Sequence, residues 1–155
     1  MSDKVEENLS DAEYFADVKN LKYEWDGRQT DWLLQWLVGF LNDTNLRIGI
    51  TLTIGGSVIT GTLIPHKAYF ERLADDFSAP FTSQNAETAE ALRTRILAFE
   101  APDEADTPSS PAQYLHLQNA RVHHGGNQLF PDTGTYWRGK IAAVEGFVLG
   151  ELSMS

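Results

Sequence analysis

A chain of 155 residues with a formal charge of -10 and a pI near 4.7 has no built-in attraction for phosphate backbones or anionic membrane surfaces. It contains no cysteine, which excludes disulfides and cysteine-based zinc sites. With 42% hydrophobic and 22% charged residues it fits one globular domain able to bury a core.

Residues 1–29 read as an acidic arm: within residues 1–26 eight acids face three lysines. Tyr14, Phe15, Val18 and Leu21 recur at helical spacing and predict a helix over 10–22. The arm has no apolar core of the signal-peptide kind, so no secretory leader is expected. Residues 30–155 read as a single α+β domain with an acidic, proline-rich loop at 100–113.

A helix is predicted over 31–42, with Thr30 as N-cap and Asp31 in the first turn. Trp32, Leu33, Leu34, Trp36, Leu37, Val38, Phe40 and Leu41 make it apolar nearly all round. Such a helix is buried on most sides, either wholly against a sheet or with one side left for a partner. The run is too short to cross a bilayer, which takes about 20 residues.

The stretch from Leu46 to Pro65 alternates cleanly. Leu46, Ile48, Ile50, Leu52 and Ile54 interleave with Arg47, Gly49, Thr51 and Thr53, the pattern of a half-buried strand. Gly55-Gly56 supplies the positive φ angles of a two-residue hairpin turn. The register then sets Leu52 opposite Ile59, Ile48 opposite Leu63 and Thr51 opposite Thr60, giving one apolar face and one threonine-rich face. Gly61, opposite Ile50, suits a bend or a close approach.

Helices are predicted over 66–77, with Ala68, Tyr69, Leu73 and Phe77 on one side, and over 85–99, with Ala89, Leu92, Ile96 and Phe99 as its stripe. A strand follows over 113–123. Leu115 and Leu117 share one parity and Ala120 and Val122 the other, which predicts a bulge at Gln118-Asn119. Residues 125–134 read as turn material. The last segment, Thr135 to Leu152, reads as a hairpin turning at Glu145-Gly146, with Lys140 opposite Glu151, Ala142 opposite Leu149 and Val144 opposite Phe147.

That last segment, "YWRGKIAAVEGFVLGEL", is similar to the C-terminal signature of the gas vesicle accessory proteins of the U type (GvpU). "GGSVITGTLIPHKAYFERLADDF" and "YLHLQNARV" fit the same family in the same order, so the resemblance runs from about Leu46 to Leu152. The first 29 residues look like an extension of the family pattern, and the chain lacks the longer polar tail of some members. The resemblance implies a non-enzymatic, cytoplasmic protein associated with gas vesicles. It would act in their assembly, organisation or clustering through contacts with the shell or with other gas vesicle accessory proteins, and would self-associate.

The residues themselves name no chemistry. His116, His123 and His124 are the only histidines close enough in sequence to suggest a metal site; the bulge spoils the shared parity of His116 and His124, and adjacent strand residues face opposite ways. No serine sits in a nucleophile motif, and the glycine-rich hairpin lacks a phosphate-binding lysine. No cofactor, metal or catalytic residue is expected, and neither nucleic acid nor membrane is expected as a partner. Trp32, Trp36, Trp137, Arg138 and Lys140 are the candidate interaction residues, because aromatic and arginine side chains are enriched at interfaces. The expected fold is α+β: a small, strongly bent antiparallel sheet or Sm-like barrel with covering helices. The alternative function is an Sm-like nucleic-acid-binding module that uses Trp137, Arg138 and Lys140.

Overall fold

The computed structural model describes residues 30–100, 111–126 and 130–153, with isolated positions between 10 and 19. The helix predicted over 10–22 and most of the acidic loop 100–113 lie outside the described residues.

Helix α1 spans Trp32–Thr44. Its N-cap is Asp31, not Thr30: one Asp31 carboxylate oxygen accepts from the N–H groups of Leu33 (2.9 Å) and Leu34 (3.2 Å). The aspartate's carboxylate also opposes the helix dipole, which a threonine hydroxyl does not. The helix ends at Asn45 in the left-handed region (φ 56°), whose N–H returns to the Leu41 carbonyl.

Strands β1 (Ile48–Ile54) and β2 (Ser57–Ile64) form the expected hairpin in the expected register, with Leu52 opposite Ile59 and Thr51 opposite Thr60. Both turn residues take positive φ, 55° at Gly55 and 79° at Gly56, which a side chain there would oppose. β2 pairs with β3 (Tyr114–His123), and β3 with β4 (Phe130–Lys140). The predicted bulge is present: Asn119 adopts φ 53°, and the registers of both ladders shift around it. Gly61 lies beneath this kink; a Cβ there would come within 2.9 Å of the Gln118 carbonyl oxygen. β4 begins earlier than the sequence suggested and absorbs part of the segment read as turn.

The C-terminal hairpin does not form. A short 3₁₀ turn at Ile141–Ala143 carries the chain away from β4, and β5 (Gly146–Leu149) pairs with β1 instead, Ile50 opposite Leu149 and Leu52 opposite Phe147. Lys140 therefore faces Tyr114, not Glu151. Glu145, read as a turn residue, is tied to the first hairpin: its carboxylate accepts from the Gly55 N–H at 2.8 Å, and its own N–H reaches the Thr53 carbonyl at 2.9 Å. These two bonds hold the start of β5 beside the β1–β2 hairpin.

The result is one antiparallel sheet in the order β4-β3-β2-β1-β5. Among the described residues no ladder joins β4 to β5, so the sheet is open and the expected barrel closure is not made. One face carries Ile50, Leu52, Ile59, Leu63, Leu115, Leu117 and Ala120, on which α1 lays Leu34, Val38 and Leu41. Burying each of these larger aliphatic side chains stabilises the fold by about 1.5–3 kcal/mol. Gln35 anchors the helix further, its amide donating to the Ala112 carbonyl at 2.9 Å.

The opposite face has two covers. Over β1 and β2 runs the chain's last described segment: the Leu152 N–H donates to Thr60 Oγ1 at 2.6 Å, Thr51 Oγ1 to the Gly150 carbonyl at 2.8 Å, and Thr62 to the Glu151 carboxylate. The threonine-rich face seen in the sequence is thus a row of hydroxyls that ties down the C-terminal strap. Near β3 sits helix α2 (His66–Thr82), and α3 (Ala86–Leu97) packs on α2. Ala74 and Ser78 on α2 and Ala89 on α3 are buried small residues that permit close approach, and Arg93 pairs with Asp75 across the two helices. α2 runs past the predicted end at 77 because Pro80 sits on its exposed side near the C-terminus, where few backbone bonds remain to be lost.

Candidate functional site

Two places in the fold concentrate aromatic and charged side chains. The first lies between α2 and the β3–β4 ladder. Cross-strand pairing puts His116 opposite Arg138, and Pro65 launches α2 so that His66, Tyr69 and Phe70 descend onto them. His116 is fully buried. Tyr69 stacks on its ring at 4.2 Å, and His66 meets it edge-on at 4.7 Å. Arg138 donates from Nη1 to His116 Nε2 at 2.8 Å and lies 3.9 Å over the ring of Tyr114.

The tautomers follow from the partners. A guanidinium only donates, so His116 Nε2 must accept and the ring proton sits on Nδ1. The Tyr114 carbonyl only accepts, so His66 donates to it from Nε2 at 3.0 Å. Burial first, then the charge of His66 and that of Arg138, hold the His116 pKa down to about 3. His66 is lowered too, chiefly by burial and further by Arg138, against the opposing effect of its bond to Tyr114. Both rings are therefore neutral near pH 7. The cluster is a packed and hydrogen-bonded joint between α2 and the sheet.

Beside it opens a cleft of about 560 Å³ lined by Tyr69, Arg72, Asp76, Asn119, Gly134 and Tyr136. Its arginine is already engaged, bonded to Asp76 at 2.9 Å and lying 5.0 Å from the centre of the Tyr136 ring.

The second place is the outer face of α1. Trp32 is 72% exposed and Trp36 60%, and Trp36 stacks on Phe40 at 5.4 Å. With Leu33 they form an apolar stripe over about two turns, on the side of the helix away from Leu34, Val38 and Leu41. The sequence showed a helix apolar nearly all round; the structure divides it into a sheet-facing side and an open side.

The five interaction residues expected from the sequence therefore separate. Trp32 and Trp36 share the open face of α1. Trp137 and Arg138 fall on opposite faces of β4: Trp137 packs against the hydrophobic core, its ring covering Gly139, while Arg138 points into the His116 joint. Lys140 is exposed at the end of β4. The aromatic-basic patch invoked for nucleic acid is thus not one surface. His66 and His116 were not foreseen as neighbours, because their approach depends on how α2 docks.

Among the described residues no three histidine, aspartate or glutamate side chains gather as a metal site. His123 bonds the Gly126 carbonyl at 2.6 Å and His124 bonds Ser57 at 3.1 Å. No helix among them is long and apolar enough to cross a membrane. What the described residues present is a small α+β domain whose most distinctive exposed feature is an aromatic helix face. Residues 31–152 match the family model of the GvpU-like gas vesicle proteins, and the chain belongs to that family. The match begins at the α1 N-cap and ends in the C-terminal strap, so it takes in every element described above. Neither the curated proteins nor the solved structures give a match.

Proposed function

We propose that this chain is a non-enzymatic accessory protein of gas vesicles, acting in the cytoplasm in their assembly, organisation or clustering through protein contacts. The open face of α1 is the contact surface, with Trp32 and Trp36 at its centre. The observation that carries the reading is the exposure of two tryptophans, stacked phenylalanine included, in a chain whose family is that of gas vesicle proteins. Solvent-facing aromatic stripes of this kind mark binding sites more often than they occur by chance, since each exposed ring costs solubility. The partner is the vesicle shell or another accessory protein bound to it.

Flotation of intact gas vesicles with the purified chain tests this. Chain carried into the floating layer supports the reading. Chain left wholly below the vesicles, both alone and with the other accessory proteins added, would count against it.

A further inference from the structure

We propose that the cleft between α2 and the β3 bulge is a binding site for a phosphate group carried by a small molecule. Its volume of about 560 Å³ is that of a small-molecule pocket. The outer face of α1, on the other side of the sheet, takes no part in it.

The bulge builds one wall. Neighbours on a regular strand face opposite ways, but with Asn119 at φ 53° both Gln118 and Asn119 line the cleft. Gly134 on β4 leaves the room that the Asn119 side chain takes; a Cβ there would collide with Asn119 Oδ1. Each amide gives its oxygen to an arginine: Gln118 Oε1 accepts from Arg47 Nη1 at 2.6 Å, and Asn119 Oδ1 from Arg121 Nη2 at 3.4 Å. Fixing the oxygens orients the amides and leaves their NH₂ groups as donors. Neither NH₂ group has an acceptor among the described residues.

Arg72 stands on the wall made by α2. Its bond to Asp76 uses Nε alone, at 2.9 and 3.0 Å from the two carboxylate oxygens, so the fork of Nη1 and Nη2 has no acceptor among the described residues. Asp76 is the one acid in the lining, and that pair holds it. Neither Arg47 nor Arg121 pairs with a described carboxylate, and Arg121 Nε is buried without a partner. Of the other acids on these strands and the strap, Asp132 is exposed on β4 and the Glu151 carboxylate is bonded to Thr62. The cleft therefore offers N–H donors from two walls, with the guanidinium groups of Arg47 and Arg121 behind one and that of Arg72 in the other. A ligand there must bring acceptors and negative charge. Donors converging from α2 and β3 suit a tetrahedral oxyanion, whereas a planar carboxylate is satisfied by one fork.

Gln118→Glu and Asn119→Asp test this sharply. Each keeps the size of the side chain and the acceptor for its arginine, and aspartate tolerates the left-handed φ at 119, but each turns a donor into a carboxylate oxygen. The full chain, without vesicles, is titrated with inorganic phosphate at constant ionic strength and followed by the side-chain NH₂ signals in NMR. Succinate serves as a planar anion and glucose as an uncharged probe. Circular dichroism checks that each variant folds, and Arg72→Gln, at an exposed position of α2, serves if either strand variant does not. The expected result is saturable shifts of the Gln118 and Asn119 NH₂ signals with phosphate, weaker or no response to succinate and glucose, and binding weakened at least about tenfold in each variant. Absence of saturable shifts with phosphate overturns the proposal. So do equal shifts with succinate or glucose, or variants that bind phosphate as the wild type does.

Discussion

Arg138 Nη1 lies 2.8 Å from His116 Nε2, at the point where β4, β3 and α2 meet. The bond exists only while the imidazole is neutral at Nε2. A proton there would turn an acceptor into a donor and set two cations against each other in a buried space.

The pH dependence follows. In the unfolded chain His116 titrates near its ordinary value of about 6.5; in the fold it is held down to about 3. A depressed histidine pKa means that the unfolded state takes up the proton first, so the joint's contribution is complete above about pH 6.5 and is lost as pH falls toward 3. His66, lowered in the same direction, adds to the slope. Thermal midpoints measured from pH 8 to about 4 should fall faster for the wild type than for His116→Gln, whose amide oxygen still accepts from Arg138 but does not titrate. Equal slopes would remove the joint from the explanation.

Capping gives a second test. Asp31→Ala should cost about 1 kcal/mol in denaturant unfolding, whereas Thr30→Ala should change little. The reverse order would restore the cap to Thr30.

The legible and illegible parts of this fold divide by distance along the chain. The Gly55-Gly56 hairpin was readable because turn and alternation lie within one short stretch and agree. Asp31 was misplaced by one residue because Thr and Asp are both good caps and only geometry chooses. The 3₁₀ turn at Ile141 and the docking of Glu145 on Gly55 were hidden because the competitor for β5 is a strand about a hundred residues earlier, and local charge complementarity suggested a nearer one. The bulge at Asn119 was visible as a parity slip, but not its consequence, which is to bring His116 opposite Arg138 beneath α2. Of the contact residues, Trp32 and Trp36 could be listed from the sequence; that they face outward could not, since the helix pattern leaves no polar side.

Gly139 offers a third check. The ring of Trp137 occupies the place where a Cβ at 139 would stand. Gly139→Ala must push that ring off the core, at a cost of about 1–3 kcal/mol. Tryptophan emission should shift to the red as Trp137 meets water. Unchanged stability together with unchanged emission would show that the ring does not lie over Gly139.

Removing Trp32 and Trp36 should leave the fold alone, because neither side chain belongs to the buried core. The change in unfolding free energy for Trp32→Ala/Trp36→Ala should stay within about 0.5 kcal/mol for each site. A larger loss would mean that the stripe packs against another part of the chain.

The most direct measurement on the central claim is flotation with gas vesicles of three proteins side by side: the wild type, Trp32→Ala/Trp36→Ala, and Lys67→Glu as a surface control at an exposed position of α2. The wild type and Lys67→Glu should rise with the vesicles while the double tryptophan variant, folded and equally stable, stays below. Equal recovery of the double variant and the wild type in the floating layer would contradict it, and would move the vesicle contact off the outer face of α1.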